Sequence, residues 1–152
     1  MPKILIADDN EQILQFLSAL LSKEPDLSVC GQARNGRQAV LMARELAPDA
    51  VILDLQMPML DGLGATAEIV KLYPLIPILL YTVHKNEQID REAKKVGVRK
   101  VIAKTDSPES LLASIRTLLP RASAKTASNV QADGDSIATL QLESATPESP
   151  SE

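Results

Sequence analysis

The stretch AVILDLQMPMLDG (residues 50–62) decides the fold. Its first residues are β-branched or aliphatic with no polar alternation, the pattern of a short strand buried on both faces. The run then meets an aspartate, Asp54, and closes on Pro58, Asp61 and Gly62, residues that favour turns. An ionised carboxylate at the end of a buried strand is costly unless a cation or hydrogen bonds compensate it. Asp54 is therefore the residue to be explained.

Working outward, four further apolar runs flank this one: KILIAD (3–8), LSVCGQAR (27–34), IPILLYT (76–82) and RKVIAK (99–104). Between them lie segments of helical period, predicted at Glu11–Ser22, Gly36–Leu46, Gly64–Leu72 and roughly Asn86–Val96. A fifth helix is predicted to start at SPESLL, with Ser107 as its cap and Pro108 at its first position. Strand alternating with helix specifies an α/β protein with a parallel sheet. In such sheets ligands gather outside the carboxyl ends of the strands, where the winding reverses.

Those ends carry Asp8 and Asp9, then Asp54, Thr82 and Lys104. Singly, each has an ordinary explanation: Asp9 or Asn10 caps the first helix, Thr82 suits a strand, and Lys104 is a solvated loop lysine. Together they do not, because three acids on one edge repel unless a cation holds them. A hard divalent ion such as Mg²⁺ takes such oxygen ligands. With the ion and Lys104 around it, an ionised Asp54 can attack a phosphoryl group.

The bulk properties agree. At 152 residues with 45% hydrophobic but 2% aromatic side chains, the core is aliphatic and stacking platforms for single-stranded nucleic acid are not expected. Residues 1–120 hold 14 Lys and Arg against 15 Asp and Glu, so no direct DNA binding is expected. Cys30 is the single cysteine, which excludes an internal disulfide. No run approaches the ~18 apolar residues of a membrane span, so a soluble cytoplasmic protein is expected. From Arg121 the sequence turns to Ala, Ser, Thr, Glu and Pro, and residues 121–152 are expected to be a disordered acidic tail following a domain at 1–120. Within it, Ile137, Leu140 and Leu142 form a short apolar patch that is a candidate docking motif.

ILIADD, VILDLQMPMLDG, ILLYT and VIAK, in this order and spacing, resemble the receiver domain of two-component response regulators. RNGRQAV and KTDSPESLLASIRTLL fit the same family, so the resemblance covers about residues 3–119. It implies a flavodoxin-like (βα)5 fold, a doubly wound five-stranded sheet of order 2-1-3-4-5. It implies that Asp54 is the phosphoacceptor, that Asp8, Asp9, Asp54 and the backbone carbonyl of Gln56 bind Mg²⁺, and that Thr82 and Lys104 read the phosphoryl group. The implied donor is a sensor histidine kinase or a histidine phosphotransfer protein. An aromatic residue usually stands three positions before the lysine in this family; here it is Val101, so a switch must rely on Thr82 and the loop after it. Gln56 and His84 occupy positions that overhang the phosphoryl site and are expected to tune hydrolysis.

No output domain follows in the sequence, so a stand-alone receiver signalling through protein contacts is expected, with no enzymatic turnover beyond its own phosphorylation and dephosphorylation. Arg91, Lys94, Lys95, Arg99 and Lys100, near the fourth helix and fifth strand, are the candidate partner face and allow a weak homodimer. A phosphate sink, a relay intermediate and a phosphorylation-independent scaffold are the alternatives. A dehalogenase-type phosphatase is disfavoured because Gln56 stands where that chemistry needs an acid. A nucleotide-binding domain would need glycines where ADDNEQ has none.

Overall fold

The computed structural model describes residues 1–119. The elements alternate throughout: β1 (Lys3–Ala7), α1 (Glu11–Ser22), β2 (Ser28–Ala33), α2 (Gly36–Leu46), β3 (Ala50–Leu53), α3 (Gly62–Leu72), β4 (Ile78–Thr82), α4 (Glu87–Val96), β5 (Lys100–Ala103) and α5 (Pro108–Leu118). The strands form one parallel sheet of order β2-β1-β3-β4-β5, the flavodoxin-like arrangement expected from the sequence. The tail from Arg121, with Ile137, Leu140 and Leu142, lies outside the described residues. Among the described residues no helix is long and apolar enough to cross a membrane.

The unbroken apolar runs are the inner strands. β3 and β4 are buried along their whole length and β1 everywhere but Lys3, because each has a neighbour on both sides and helices on both faces. Leu14, Leu17 and Leu21 of α1 and Leu111 and Ile115 of α5 cover one face with Ile4, Ile6, Ile52 and Leu79. Val40, Ala43, Ile69 and Ala93 of α2, α3 and α4 cover the other, against Leu5, Val51, Leu53 and Leu80. Successive side chains of a strand thus feed opposite cores, as a period of two requires.

Each helix starts on a side chain that accepts from its first turn: Asn10, Asn35, Asp61, Asn86 and Ser107. The caps account for the shifted helix starts: Asn86 caps α4, which begins at Glu87 rather than Asn86. α3 begins at Gly62, two residues before the predicted Gly64, because Asp61 accepts a 2.7 Å hydrogen bond from the Gly64 amide. Further ion pairs lie at the periphery, with Arg116 of α5 reaching Glu24 and Asp26, Arg37 of α2 reaching Glu68 of α3, and Arg34 reaching Glu11. Exposed pairs of this kind contribute about 0–1 kcal/mol each.

The loop after β3 is held by close backbone approach. A β-carbon at Gly36 would lie 1.9 Å from the Leu60 carbonyl oxygen, and one at Gly62 would lie 2.3 Å from that of Asp54. Gly36→Ala is therefore expected to lower stability by roughly 1–3 kcal/mol, since a backbone must move. At Gly64 the added carbon meets the flexible end of the Leu60 side chain, and alanine favours the helix. Urea unfolding should place Gly64→Ala within about 1 kcal/mol of the wild type, and equal losses for the two variants would contradict this account.

Candidate functional site

The sheet winding reverses between β1 and β3, and the residues following these strands are Asp8 and Asp54. The ladder continues one residue past the strands and seats both: the Asp8 amide donates to Ala33 at 3.0 Å and the Asp54 amide to Ala7 at 2.9 Å. Lys104 is seated likewise, its amide donating to Thr82 at 2.9 Å. Backbone pairing, rather than flexible loop, therefore sets where these three side chains originate.

A cleft of about 300 Å³ opens above them, lined by Asp8, Asp9, Asn10, Asp54, Gln56, Val83, His84 and Lys104. Carboxylate oxygens of Asp8, Asp9 and Asp54 all lie within 4.8 Å of one another. Asp8 is 1% exposed and Asp54 9%, whereas Asp9 reaches solvent. Asp8 uses both oxygens: Oδ1 accepts from the Asn10 amide at 2.9 Å and Oδ2 from the Lys104 ammonium at 2.7 Å. Lys104 Nζ is also 3.3 Å from Asp54 Oδ1. The lysine thus leans toward Asp8, the carboxylate the sequence reading did not assign to it.

The electrostatics follow from that geometry. Burial, reinforced by the charge of Asp8, pushes the Asp54 carboxyl up to about 6, and Lys104 opposes this only in part. Burial disfavours the Lys104 charge, yet the hydrogen bond to Asp8 and the two nearby carboxylates leave its pKa above the ordinary lysine range. One ammonium shared between two buried acids thus offsets only part of the penalty that burial and Asp8 place on the Asp54 charge.

Thr82 is fully buried, and its hydroxyl oxygen accepts a 3.0 Å hydrogen bond from the His84 amide, which fixes the start of the loop beyond β4. Gln56 and His84 are exposed and line the cleft. Val101 does not reach it: it pairs with Leu80 in the sheet and lines a separate groove of about 260 Å³ beside α4. Lys94, Arg99 and Lys100 border that groove, but Arg91 and Lys95 do not, and Lys85 does, so the predicted basic face divides. Lys85 is paired with Asp90, while Arg99 keeps its charge but is tethered by donating to the Leu75 carbonyl at 2.8 Å. Sequence reading missed Lys85, and it missed the ring of Tyr81, whose centroid lies 5.9 Å from Lys104 Nζ. In the linear sequence both look like strand-end or loop residues with no partner.

Comparison with known proteins agrees with this arrangement. The response regulator receiver domain family matches residues 4–116. The response regulator protein VraR of Staphylococcus aureus is 34% identical over 114 residues, covering 75% of this chain and 54% of VraR. A protein-glutamate methylesterase/protein-glutamine glutaminase of Methanospirillum hungatei is 40% identical over 89 residues, covering 59% of this chain and 25% of that protein. The chain thus spans about half, or less, of the length of these curated relatives. Among solved structures, the chemotaxis protein CheY4 of Vibrio cholerae superposes with a TM-score of 0.73 at 30% identity, covering 78% of this chain and 99% of its own. The response regulator domain of Thermotoga maritima CheB gives a TM-score of 0.73 at 29% identity, covering 78% and 96%. A parallel sheet of order 2-1-3-4-5 with an acidic cluster at its switch point, matched over 113 consecutive residues, places this chain in the response regulator receiver domain family of two-component signalling.

Proposed function

We propose that Asp54 accepts a phosphoryl group from a phosphohistidine of a sensor histidine kinase or histidine phosphotransfer protein, and that the modified domain signals by binding another protein. The observation that carries this reading is the three-carboxylate cluster with Lys104 reaching into it from β5. Receiver domains bind Mg²⁺ at an acidic cluster, and here the donor set is oxygen only, as that ion prefers. Asp8, Asp9, Asp54 and the Gln56 carbonyl would hold it. When bound, Mg²⁺ supplies the positive charge that lets three carboxylates and a phosphoryl group share one site.

The rest falls to the chain's own groups. An Asp54 oxygen attacks phosphorus, forming the acyl-phosphate O–P bond while the donor's N–P bond breaks and the histidine nitrogen keeps its electron pair. Lys104 sits where its ammonium can pass from the carboxylates to the transferred oxygens, and the Thr82 hydroxyl, on the next strand, can donate to one of them. The phosphoryl group adds ~1.5–2 negative charges at one sheet edge, enough to draw Thr82 and the loop beyond it into a new arrangement. A phosphate sink or relay intermediate is a second reading, supported by Val101, because no aromatic ring stands there to move with Thr82. In either case the groove beside α4, with Lys94 and Lys100, is the face offered to a downstream partner.

Intact-mass spectrometry after incubation with Mg²⁺ and a small acyl-phosphate donor should show one added phosphoryl group. The addition should vanish in Asp54→Asn and when the metal is chelated. An unmodified wild type, or an equally modified Asp54→Asn, would overturn the assignment of Asp54.

The raised Asp54 pKa makes a separate prediction for the metal-free protein. The folded domain keeps the Asp54 proton up to about pH 6, whereas the unfolded chain loses it near 3.8. Folding stability due to this group is thus present at low pH and lost as pH rises toward and through 6. Asp54→Asn removes that loss, so it should stabilise the metal-free protein by roughly 2–3 kcal/mol at pH 7, with the difference shrinking below pH ~4. Chemical denaturation across that range reads it directly. A destabilised Asp54→Asn at pH 7 would mean that Lys104 outweighs burial and makes the carboxylate favourable in the folded domain.

His84 borders the cleft, exposed and anchored through its amide to Thr82. Its ring is placed to order water near the acyl phosphate. His84→Ala should change the phosphoaspartate half-life about threefold or more, on the ~0.5–1.5 kcal/mol scale of one hydrogen bond. A decay rate equal to that of the wild type would remove His84 from the hydrolytic step.

A further inference from the structure

Three features lie outside the proposed chemistry: the groove beside α4, the exposed left-handed Met59 (φ 71°), and a tyrosine ring packed beside the cleft lysine. The third carries furthest. Tyr81 is 4% exposed and lies on β4 between Leu80 and Thr82. Strand alternation sends its side chain to the face opposite Thr82, into the cluster with Ile102, Leu111 and Ile115. Thr82 pairs with Ala103, so Lys104 emerges one residue beyond that pair. From there its Nζ comes to 5.9 Å from the Tyr81 ring centroid.

We infer that Tyr81 is a positioning residue for Lys104, its ring holding the ammonium at the cleft while the lysine changes partners among the carboxylates and the transferred phosphoryl group. Lys104 is bound to Asp8 and Asp54, the same carboxylates proposed to take the metal. When they turn to a cation, the lysine loses the attraction that orients it. The ring face does not compete for metal, and its attraction for an ammonium persists through the exchange. Burial pushes the Tyr81 phenol above its ordinary range, so the ring stays neutral throughout. The lysine side chain is 13% exposed, shielded enough for such a contact to count.

This inference rests on the reading of Lys104 as the phosphoryl-binding lysine, and two measurements on the full chain separate the two. The first needs no phosphoryl transfer. The ε-methylene proton signals of Lys104 in the NMR spectrum should be displaced upfield by the ring in the wild type and in Tyr81→Phe, and should return to ordinary values in Tyr81→Leu. Ordinary values in the wild type overturn the inference whatever the outcome of phosphorylation. The second follows the rate of phosphorylation by a small acyl-phosphate donor. Tyr81→Leu should slow it about 3- to 10-fold, Tyr81→Phe should leave it within about twofold of the wild type, and Tyr81→Leu should add nothing in a Lys104→Ala background. An equal loss in that background would show that Tyr81 acts by general packing. A loss in Tyr81→Phe would assign the effect to the hydroxyl. A displaced methylene signal with a rate unchanged by Tyr81→Leu would leave the contact real but without a role in transfer, which also overturns the inference.

Discussion

Three carboxylates share a space too small for them, and one ammonium is left to compensate. Asp8 and Asp54 are buried, Asp9 stands at the rim, and Lys104 divides itself between the first two at 2.7 Å and 3.3 Å. This imbalance of charge is the constraint on which the rest of the site depends. Like-charge repulsion at low solvent access favours a proton or a cation, and the chain presents that demand where the sheet opens to solvent. Burial and the charge of Asp8 push the Asp54 carboxyl up to about 6. Its neighbour Asp8 has secured two hydrogen-bond donors, and Asp54 takes what remains of Lys104.

Holding such a cluster together requires a scaffold that does not relax. The ladder bonds that continue past β1, β3 and β5 fix the origins of Asp8, Asp54 and Lys104, and two aliphatic cores clamp the sheet from both sides. The loop after β3 has little freedom, because Gly36 and Gly62 bring backbone against backbone around it. Met57 tucks into the core from the same loop, while Gln56 and Met59 on either side of it face solvent. The result is a rigid seat beneath an exposed rim.

Much of this was legible in the sequence, for reasons that can be named. Unbroken aliphatic runs identify inner strands because helices cover both of their faces, and Asn10 and Ser107 announce helix starts because their side chains satisfy first-turn amides. Acids at the ends of two such runs must meet, since parallel strands bring their carboxyl ends to one edge. What periodicity does not carry is distance between side chains. That Lys104 prefers Asp8, that Val101 faces a groove beside α4 rather than the cleft, and that Lys85 borders that groove all depend on how side chains reach across strands. The early start of α3 was missed because Gly62 reads as a turn residue until Asp61 is seen to cap it.

The chain contains no tryptophan, two tyrosines and one phenylalanine. Tyr73 closes α3, with its hydroxyl 3.4 Å from the Arg44 carbonyl at the end of α2. Tyr81 lies under the cleft, beside the one lysine that must rearrange if the site is charged. In optical terms the molecule is nearly dark above the tyrosine band. Its ultraviolet signal comes from two emitters, one remote from the chemistry and the other 5.9 Å from an ammonium. The aliphatic composition that makes the core plain thereby gives the protein a native chromophore at its site, with its own internal reference.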